Sequence, residues 1–273
     1  MVRASDKLWT ETGGYYLRTA EQVKASPVLP RPQHVVDRRV LQLFKTYVNW
    51  SAAPEILEVG CGCSAWLAYL GQQKNCTVTG IDIEPYAAQL ARANLEGAGA
   101  RGEVLCRDAF DLEQNTDLIG RFDFIYSWGV MEHFENPSQN AATLRHYLRP
   151  GGRILTLVPN LQWLNGVLQR FVDIERYEMH VIYGRDRLRR VHEAAGFRTL
   201  AVGHVGFFDA YLTATRPQML DARRSRLHKR LCWMMGLTNE AWNRSMGKVF
   251  APETRWLSPH IFYVGETTGT ATA

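Results

Sequence analysis

Residues 55–82 read EILEVGCGCSAWLAYLGQQKNCTVTGID, and this stretch decides the fold of the chain. It predicts a short apolar strand, a glycine loop at residues 60–64, a helix, and a second strand that ends at Asp82. Glycines at 60 and 62 let the backbone turn sharply and let a ligand approach it closely. The helix that follows points its N-terminal amides at that ligand, and a carboxylate about twenty residues beyond the loop suits the hydroxyls of an adenosine ribose. The pattern therefore predicts a site for a nucleoside cofactor.

Strands and helices continue to alternate beyond this stretch. Further apolar strands are predicted at residues 103–107, 122–128, 153–158, 197–205 and 260–264. A helix that begins at Asn136-Pro137 is expected to run through Leu148 and to end at the turn of residues 149–152. Such alternation gives a mostly parallel sheet with right-handed crossovers, and ligands collect at the carboxyl ends of its strands. Polar or glycine features follow four of these strands, at residues 58–62, 82, 108 and 127–133.

The composition fits one large α/β domain with elaborations, or one domain with a small cap. Of the 273 residues, 46% are hydrophobic and 22% are charged, as in an ordinary soluble enzyme. The polar N-terminus leads into no apolar core of a signal peptide, and no apolar run approaches the roughly 18 residues of a membrane span. Five cysteines, an odd number, favour reduced thiols over a disulfide framework. These features predict a cytoplasmic protein.

The positive charge is concentrated late in the chain. Residues 207–259 contain nine Lys or Arg and four Asp or Glu, so this segment accounts for the whole net charge of +5. We divide the chain into an N-terminal helical cap (1–50), a cofactor-binding domain (51–206 and 260–267) and a basic helical insertion (207–259). Within the insertion, a helix is predicted to begin at Pro217.

Three interpretations of this insertion are open. In the first, the insertion is a solvated cap or a contact between two copies of the chain in a homodimer. In the second, residues 216–236 contact an anionic ligand or a membrane surface. The third interpretation is nucleic-acid binding. It is the least favoured, because no RNA-binding module accompanies the basic residues and the rest of the chain is not basic.

Five motifs, in order, resemble those of the class I S-adenosylmethionine-dependent methyltransferases. Glu58-Val59-Gly60-Cys61-Gly62 resembles their motif I, Asp82 resembles their ribose-binding acid, and Asp108 with Ala109 or Phe110 resembles the pair that contacts adenine. Residues 122–134 are similar to the fourth motif, and residues 148–152 to the turn before strand five.

The resemblance covers residues 55–206 and 260–267. It implies a Rossmann-like seven-stranded sheet, S-adenosyl-L-methionine as the cofactor and S-adenosyl-L-homocysteine as the product. The cofactor-binding residues that it implies are Glu58, Gly60, Cys61, Gly62, Asp82, Ile83, Asp108, Ala109, Phe110, Ser127 and Trp128.

The main rival is a dinucleotide-dependent dehydrogenase. Residues 60–65 also satisfy the G-x-G-x-x-A fingerprint, and Asp82 would serve a nicotinamide cofactor's ribose too. Glu58 favours the methyltransferase, since a carboxylate suits a cationic amino-acid cofactor better than a pyrophosphate. Asp108 offers an acceptor to an exocyclic amine, and the sequence has no Tyr-x-x-x-Lys pair for carbonyl chemistry. One departure from the family is Ser64, which stands where many members have a third glycine.

The N-terminal residues 9–18, WTETGGYYLR, have two interpretations. They form a structural cap, or they close over the cofactor so that Tyr16 or Arg18 meets its carboxylate. The next segment carries Val35, Val40 and Phe44 at helical spacing, which predicts an amphipathic helix packed on the sheet.

We expect no metal in this protein. Cys61-Gly62-Cys63 suggests one, but no second Cys or His pair at ligand spacing accompanies it.

The candidate catalytic residues are His133 and His180. Methyl transfer from a sulfonium is an in-line displacement, which needs a base only when the acceptor must lose a proton. His133 follows the fourth strand, where the acceptor is expected, although Glu-His at this place in the resembling proteins often holds the loop. His180 lies in a predicted loop, with Tyr177, beyond an amphipathic helix at residues 161–172. That helix either roofs the active site or packs on the core.

The sequence thus predicts a methyltransferase that modifies a small metabolite at oxygen, nitrogen or carbon. Two alternatives remain: a lipid-linked or RNA acceptor, and a non-catalytic protein that binds a nucleoside cofactor. Intact carboxylates at Glu58, Asp82 and Asp108 argue against the second alternative.

Overall fold

In a computed structural model of the protein, the described residues are 18–172, 174–207, 230, 233, 234, 237, 238, 240–242, 245 and 252–268, with only the backbone described at 172, 175 and 176. Residues 1–17, the helix predicted from Pro217 and most of the basic insertion lie outside this part of the chain. The three domain bounds and the roles considered for residues 216–236 therefore stay predictions.

Within the described residues, seven strands form one sheet. Their bounds are β1 Glu55–Val59, β2 Thr77–Asp82, β3 Gly102–Cys106, β4 Phe122–Trp128, β5 Leu148–Pro159, β6 Phe197–Val205 and β7 His260–Thr267. The order across the sheet is β3-β2-β1-β4-β5-β7-β6. Only β7 runs antiparallel to its neighbours, β5 and β6, and the other pairs are parallel. The predicted seven-stranded, mostly parallel α/β fold is confirmed.

Helices cover both faces of the sheet. Their bounds are α1 Ala20–Ala25, α2 Val35–Tyr47, α3 Ala65–Gly71, α4 Pro85–Ala98, α5 Pro137–His146, α6 Leu164–Val172, α7 Ile174–Glu178 and α8 Arg185–Ala194. Short 3₁₀ turns lie at Trp50–Ala52, Thr116–Leu118 and Met131–His133. Among the described helices, none combines the length and the apolar character that crossing a bilayer requires.

Successive strand residues pack into two separate cores, as the pleat of a sheet covered on both faces requires. Ile56 and Phe124 belong to one core, whereas Leu57 and Ile125 belong to the other. Helix α2 lies on the first of these faces, where the ring of Phe44 is 5.3 Å from that of Trp66. The amphipathic helix predicted at this position is therefore confirmed.

Two local predictions are wrong. Residues 149–152 do not end a helix, because α5 stops at His146 and strand β5 already begins at Leu148. Gly151 has φ +75°, and the pairing with β4 shifts its register between Phe122 and Phe124, so the Pro-Gly-Gly sequence deforms the strand. Tyr177 is also not in a loop, since the short helix α7 includes it.

A buried amide joins the N-terminal segment to the glycine loop. The Asn94 side chain on α4 is 1% exposed, its Oδ1 accepts from the Val28 amide (2.6 Å), and its Nδ2 donates to the carbonyls of Val28 (3.0 Å) and Ser64 (2.9 Å). The segment around Val28, which contains Pro27 and Pro30, is thus fixed to Ser64, the residue that precedes α3.

Replacing Asn94 by alanine is expected to lower the free energy of unfolding by about 2 kcal/mol, because three hydrogen bonds are lost at a buried position. Urea unfolding followed by circular dichroism measures this change. Gln72→Ala is the matched control, since Gln72 makes a single exposed bond to the carbonyl of Ala98 (2.7 Å) and its removal should change stability by less than about 0.5 kcal/mol. Equal stability of the two variants would contradict the stabilising role assigned to Asn94.

Candidate active site

The glycine loop after β1 is held to the end of β2. Gly60 and Gly62 have φ of +69° and +39°, which glycine adopts without the steric cost of a side chain. The Gly60 amide donates to the carbonyl of Ile81 (2.8 Å), and the Gly62 amide donates to Oδ2 of Asp82 (2.8 Å). A Cβ on Gly60 would lie 2.5 Å from Val130 beyond β4. The loop is therefore confined between β2 and the segment after β4.

Asp82 presents both carboxylate oxygens at the edge of the sheet. Oδ2 accepts from Gly62, and Oδ1 accepts from the amide of Glu84 (3.0 Å). Burial raises the pKa of this carboxyl, and the backbone amides oppose that effect. Each oxygen accepts one of these bonds and retains capacity for another, so two ligand hydroxyls can be accommodated. The next residue, Ile83, is 50% exposed beside them.

Glu58 is buried next to Tyr126. The two residues face each other in the register of β1 and β4, and the Tyr126 hydroxyl donates to Oε2 of Glu58. Burial raises the pKa of Glu58 to about 8, and the nearby negative charge of Asp82 also raises it. Glu58 is therefore mostly protonated at neutral pH, and a cation placed beside it would favour the charged form.

The loop after β3 is an ordered turn. Oδ1 of Asp108 accepts from the Phe110 amide (3.0 Å), and the Asp108 amide donates to Oε1 of Gln114 (3.0 Å). Asn115 donates to the carbonyl of Asp108 (2.6 Å). The ring of Phe110 meets that of Phe134 edge-on at 4.8 Å between centroids. This ring contact joins the segment after β3 to the segment after β4, and Ala109 between Asp108 and Phe110 is buried.

Two buried polar atoms lie near the end of β4 without a hydrogen-bond partner in the part of the chain that is described. They are Oγ of Ser127 and Nδ1 of His260. The Trp128 ring meets the imidazole of His260 edge-on at 4.9 Å. Burial lowers the pKa of His260 to about 3, so this imidazole is neutral.

The two candidate catalytic histidines come together. His133 ends the 3₁₀ turn after β4, and the ring centroids of His133 and His180 are 5.0 Å apart. The Val181 amide donates to the carbonyl of Glu132 (2.7 Å), which fastens the segment of His180 to the turn. One ligand atom from each of Glu132, His133 and His180 lies within 4.8 Å of the others.

The predicted N-terminal contacts are described in part. Tyr16 lies outside the described residues. The guanidinium of Arg18 donates to the carbonyls of Gln22 and Ser26, at the end of α1. The structural cap and the contact between Arg18 and a cofactor carboxylate both stay predictions.

Sequence reasoning missed the roles of two residues of the site. Oγ of Ser64 accepts from the amides of Trp66 (3.1 Å) and Leu67 (3.3 Å), so the serine caps α3 where a third glycine would leave these amides unpaired by a side chain. A serine directly before a helix is a known start signal, and it was available in the sequence. Tyr126 gave no such signal, because its role depends on the register between β1 and β4.

Comparison with known proteins agrees with this geometry. Residues 30–202 match the family model of a methyltransferase domain. The methyltransferase GfsG of Streptomyces halstedii is 26% identical over 164 residues, which cover 55% of this chain and 58% of that protein. A ubiquinone biosynthesis O-methyltransferase of Xanthomonas euvesicatoria is 28% identical over 127 residues, 45% of this chain and 50% of its own length. The chain therefore spans about half the length of these two curated relatives.

A solved structure shows the same fold. The SAM-dependent methyltransferase from Archaeoglobus fulgidus superposes with a TM-score of 0.53 and 17% identity, over 84% of this chain and 91% of that one.

Proposed function

This chain belongs to the family of class I S-adenosylmethionine-dependent methyltransferases, and from that membership we propose that it transfers a methyl group from S-adenosylmethionine to an oxygen, nitrogen or carbon atom of a small-molecule metabolite. The observation that carries this proposal is the pair of carboxylates, Glu58 and Asp82, on either side of the bend at residues 60–62. Asp82 is bonded to the bend, and its charge acts on the buried Glu58.

Each side of the site suits a different part of the cofactor. Asp82 would accept the two ribose hydroxyls, with exposed Ile83 against the adenosine, and Glu58 would stabilise the cationic amino-acid part. Asp108 would accept from the adenine amine, and the Phe110 ring would lie against the adenine. Ser127 and Trp128, with the backbone of residues 60–62, would line the region of the sulfonium.

The acceptor is proposed to lie beyond β4, between residues 127–133 and the segment of His180. S-Adenosylmethionine supplies an electrophilic methyl group on sulfur, so the protein's main contribution is to hold the acceptor in line with it and to exclude water. The buried Oγ of Ser127 and Nδ1 of His260 offer hydrogen bonds to a polar ligand. The rings of His133 and His180 lie 5.0 Å apart, and in the absence of a bound metal ion either imidazole would be placed to take the acceptor's proton.

The name of the Xanthomonas relative, a ubiquinone biosynthesis O-methyltransferase, supports a small-molecule acceptor. Labelled S-adenosylmethionine, offered with panels of metabolites, lipids and RNA, tests the proposal. We expect label in at least one small molecule with the wild-type chain and background label with Asp82→Ala. Transfer to RNA alone would overturn the small-molecule assignment. If calorimetry detects no binding of S-adenosylmethionine, the assignment of the cofactor is overturned.

A further inference from the structure

We propose that Glu132, His133 and His180 bind a divalent transition-metal ion on the acceptor side of the cleft. The expectation of no metal rested on the Cys61-Gly62-Cys63 sequence and on the lack of ligand pairs at local spacing. His133 and His180 are far apart in the sequence, so no such spacing marks this group, and only the fold brings it together.

The donor set suits such an ion. Two imidazole nitrogens and one carboxylate oxygen are ligands that Zn²⁺ and similar ions accept, with further positions left open for water or substrate. Bonds of about 2.0–2.2 Å place neighbouring ligand atoms roughly 3.3 Å apart. The ligand atoms of Glu132, His133 and His180 already lie within 4.8 Å of one another, so small side-chain rotations complete the site.

The backbone holds the three residues in place. Glu132 and His133 are consecutive in the 3₁₀ turn, and Glu132 is 2% exposed. The segment of His180 is fixed by the bond from the Val181 amide to the carbonyl of Glu132 (2.7 Å). The Tyr183 hydroxyl donates to the carbonyl of Met131 (3.4 Å), in the same turn.

The proposed ion would lie next to the cofactor site. Val130, directly before the turn, packs against Gly60 of the glycine loop, and Phe134, directly after it, packs against Phe110. An ion bound at the turn is therefore close to the space proposed for the acceptor.

This placement, which rests on the proposed function, favours an acceptor with a hydroxyl group. A metal-bound hydroxyl has a lowered pKa and releases its proton to water. The oxygen then forms a bond to the methyl carbon, the carbon–sulfur bond breaks, and its electron pair stays on sulfur, which gives neutral S-adenosylhomocysteine. On this assignment the two imidazoles are ligands and do not carry the proton.

The test uses the full chain without an affinity tag, dialysed against a chelator and titrated with Co²⁺. Visible absorption reports coordination, and equilibrium dialysis gives stoichiometry. We expect one Co²⁺ per chain, displaced by Zn²⁺ but not by Mg²⁺, which prefers oxygen ligands. His133→Gln and His180→Gln should each weaken Co²⁺ binding by at least about 100-fold. His146→Gln, at an exposed position on α5, is the matched control and should bind as the wild type does.

Circular dichroism and S-adenosylmethionine calorimetry on the same samples separate this proposal from the proposed function and from misfolding. Wild-type protein that binds no Co²⁺, or folded histidine variants that bind it as tightly as His146→Gln, would overturn the metal site. Co²⁺ binding without S-adenosylmethionine binding would leave the metal site standing and overturn the proposed function.

Discussion

Replacing Asp82 by alanine is expected to weaken S-adenosylmethionine binding by at least about 100-fold, because two hydrogen bonds to a charged acceptor contribute roughly 3 kcal/mol or more. The same change releases the Gly62 amide, which Asp82 holds at 2.8 Å in the glycine loop. Isothermal titration calorimetry measures the affinity directly.

The fold should survive this substitution. Burial raises the pKa of Asp82, so its charge in the cofactor-free protein opposes folding above the unfolded pKa. Asp117→Ala is the control, since that carboxylate is paired with Arg107 (2.8 Å) on the exposed side of the loop after β3. Wild-type affinity in a folded Asp82→Ala protein would remove the basis of the cofactor assignment.

Replacing Glu58 by glutamine is expected to change how stability depends on pH. Burial raises the pKa of Glu58 in the folded protein to about 8, from an ordinary value of 4.5. Between these values the unfolded residue is ionised and the folded one is protonated, so the free energy of unfolding falls as pH rises from about 4.5 to about 8. One such group contributes a decrease of up to roughly 4–5 kcal/mol.

Urea unfolding of both proteins at several pH values, without cofactor, measures the effect. The difference between wild type and Glu58→Gln isolates Glu58, because buried His192 and His260 have pKa values lowered to about 4 and 3 and act with the opposite sign in both proteins. The variant should be the more stable protein at pH 8, and it should bind S-adenosylmethionine more weakly. Parallel pH profiles would show that burial leaves the pKa of Glu58 unchanged, and would contradict this prediction.

Much of the fold follows from local sequence patterns. The strands at residues 122–128 and 197–205 have the predicted bounds, because apolar runs bordered by turn residues mark strands clearly. The helix predicted to begin at Asn136-Pro137 does begin at Pro137, and Pro85 also stands at a first helical position, which proline favours. The prediction that residues 149–152 end a helix was wrong, because Pro-Gly-Gly usually ends an element, whereas here it lies within strand β5 and bends it.

The site was less accessible to sequence reasoning. The carboxylates at positions 58, 82 and 108 lie at or just beyond the ends of strands in a parallel sheet, so their shared edge could be predicted. The pairing of Tyr126 with Glu58 depends on strand register, and the meeting of His133 with His180 depends on how the segment after α6 returns to the turn. Neither contact can be predicted from the residues adjacent in sequence to its two partners.

The antiparallel strand β7 has a consequence for how the protein can be altered. Val205 at the end of β6 pairs with His260 at the start of β7, and His260 also pairs with Pro159 at the end of β5. The segment that joins β6 to β7 therefore begins and ends at neighbouring positions of the sheet, on the same edge as the glycine loop. The entropic cost of closing a loop between two fixed ends grows only slowly with the length of the loop. The length of the segment between Val205 and His260 can accordingly change without altering the register of the sheet.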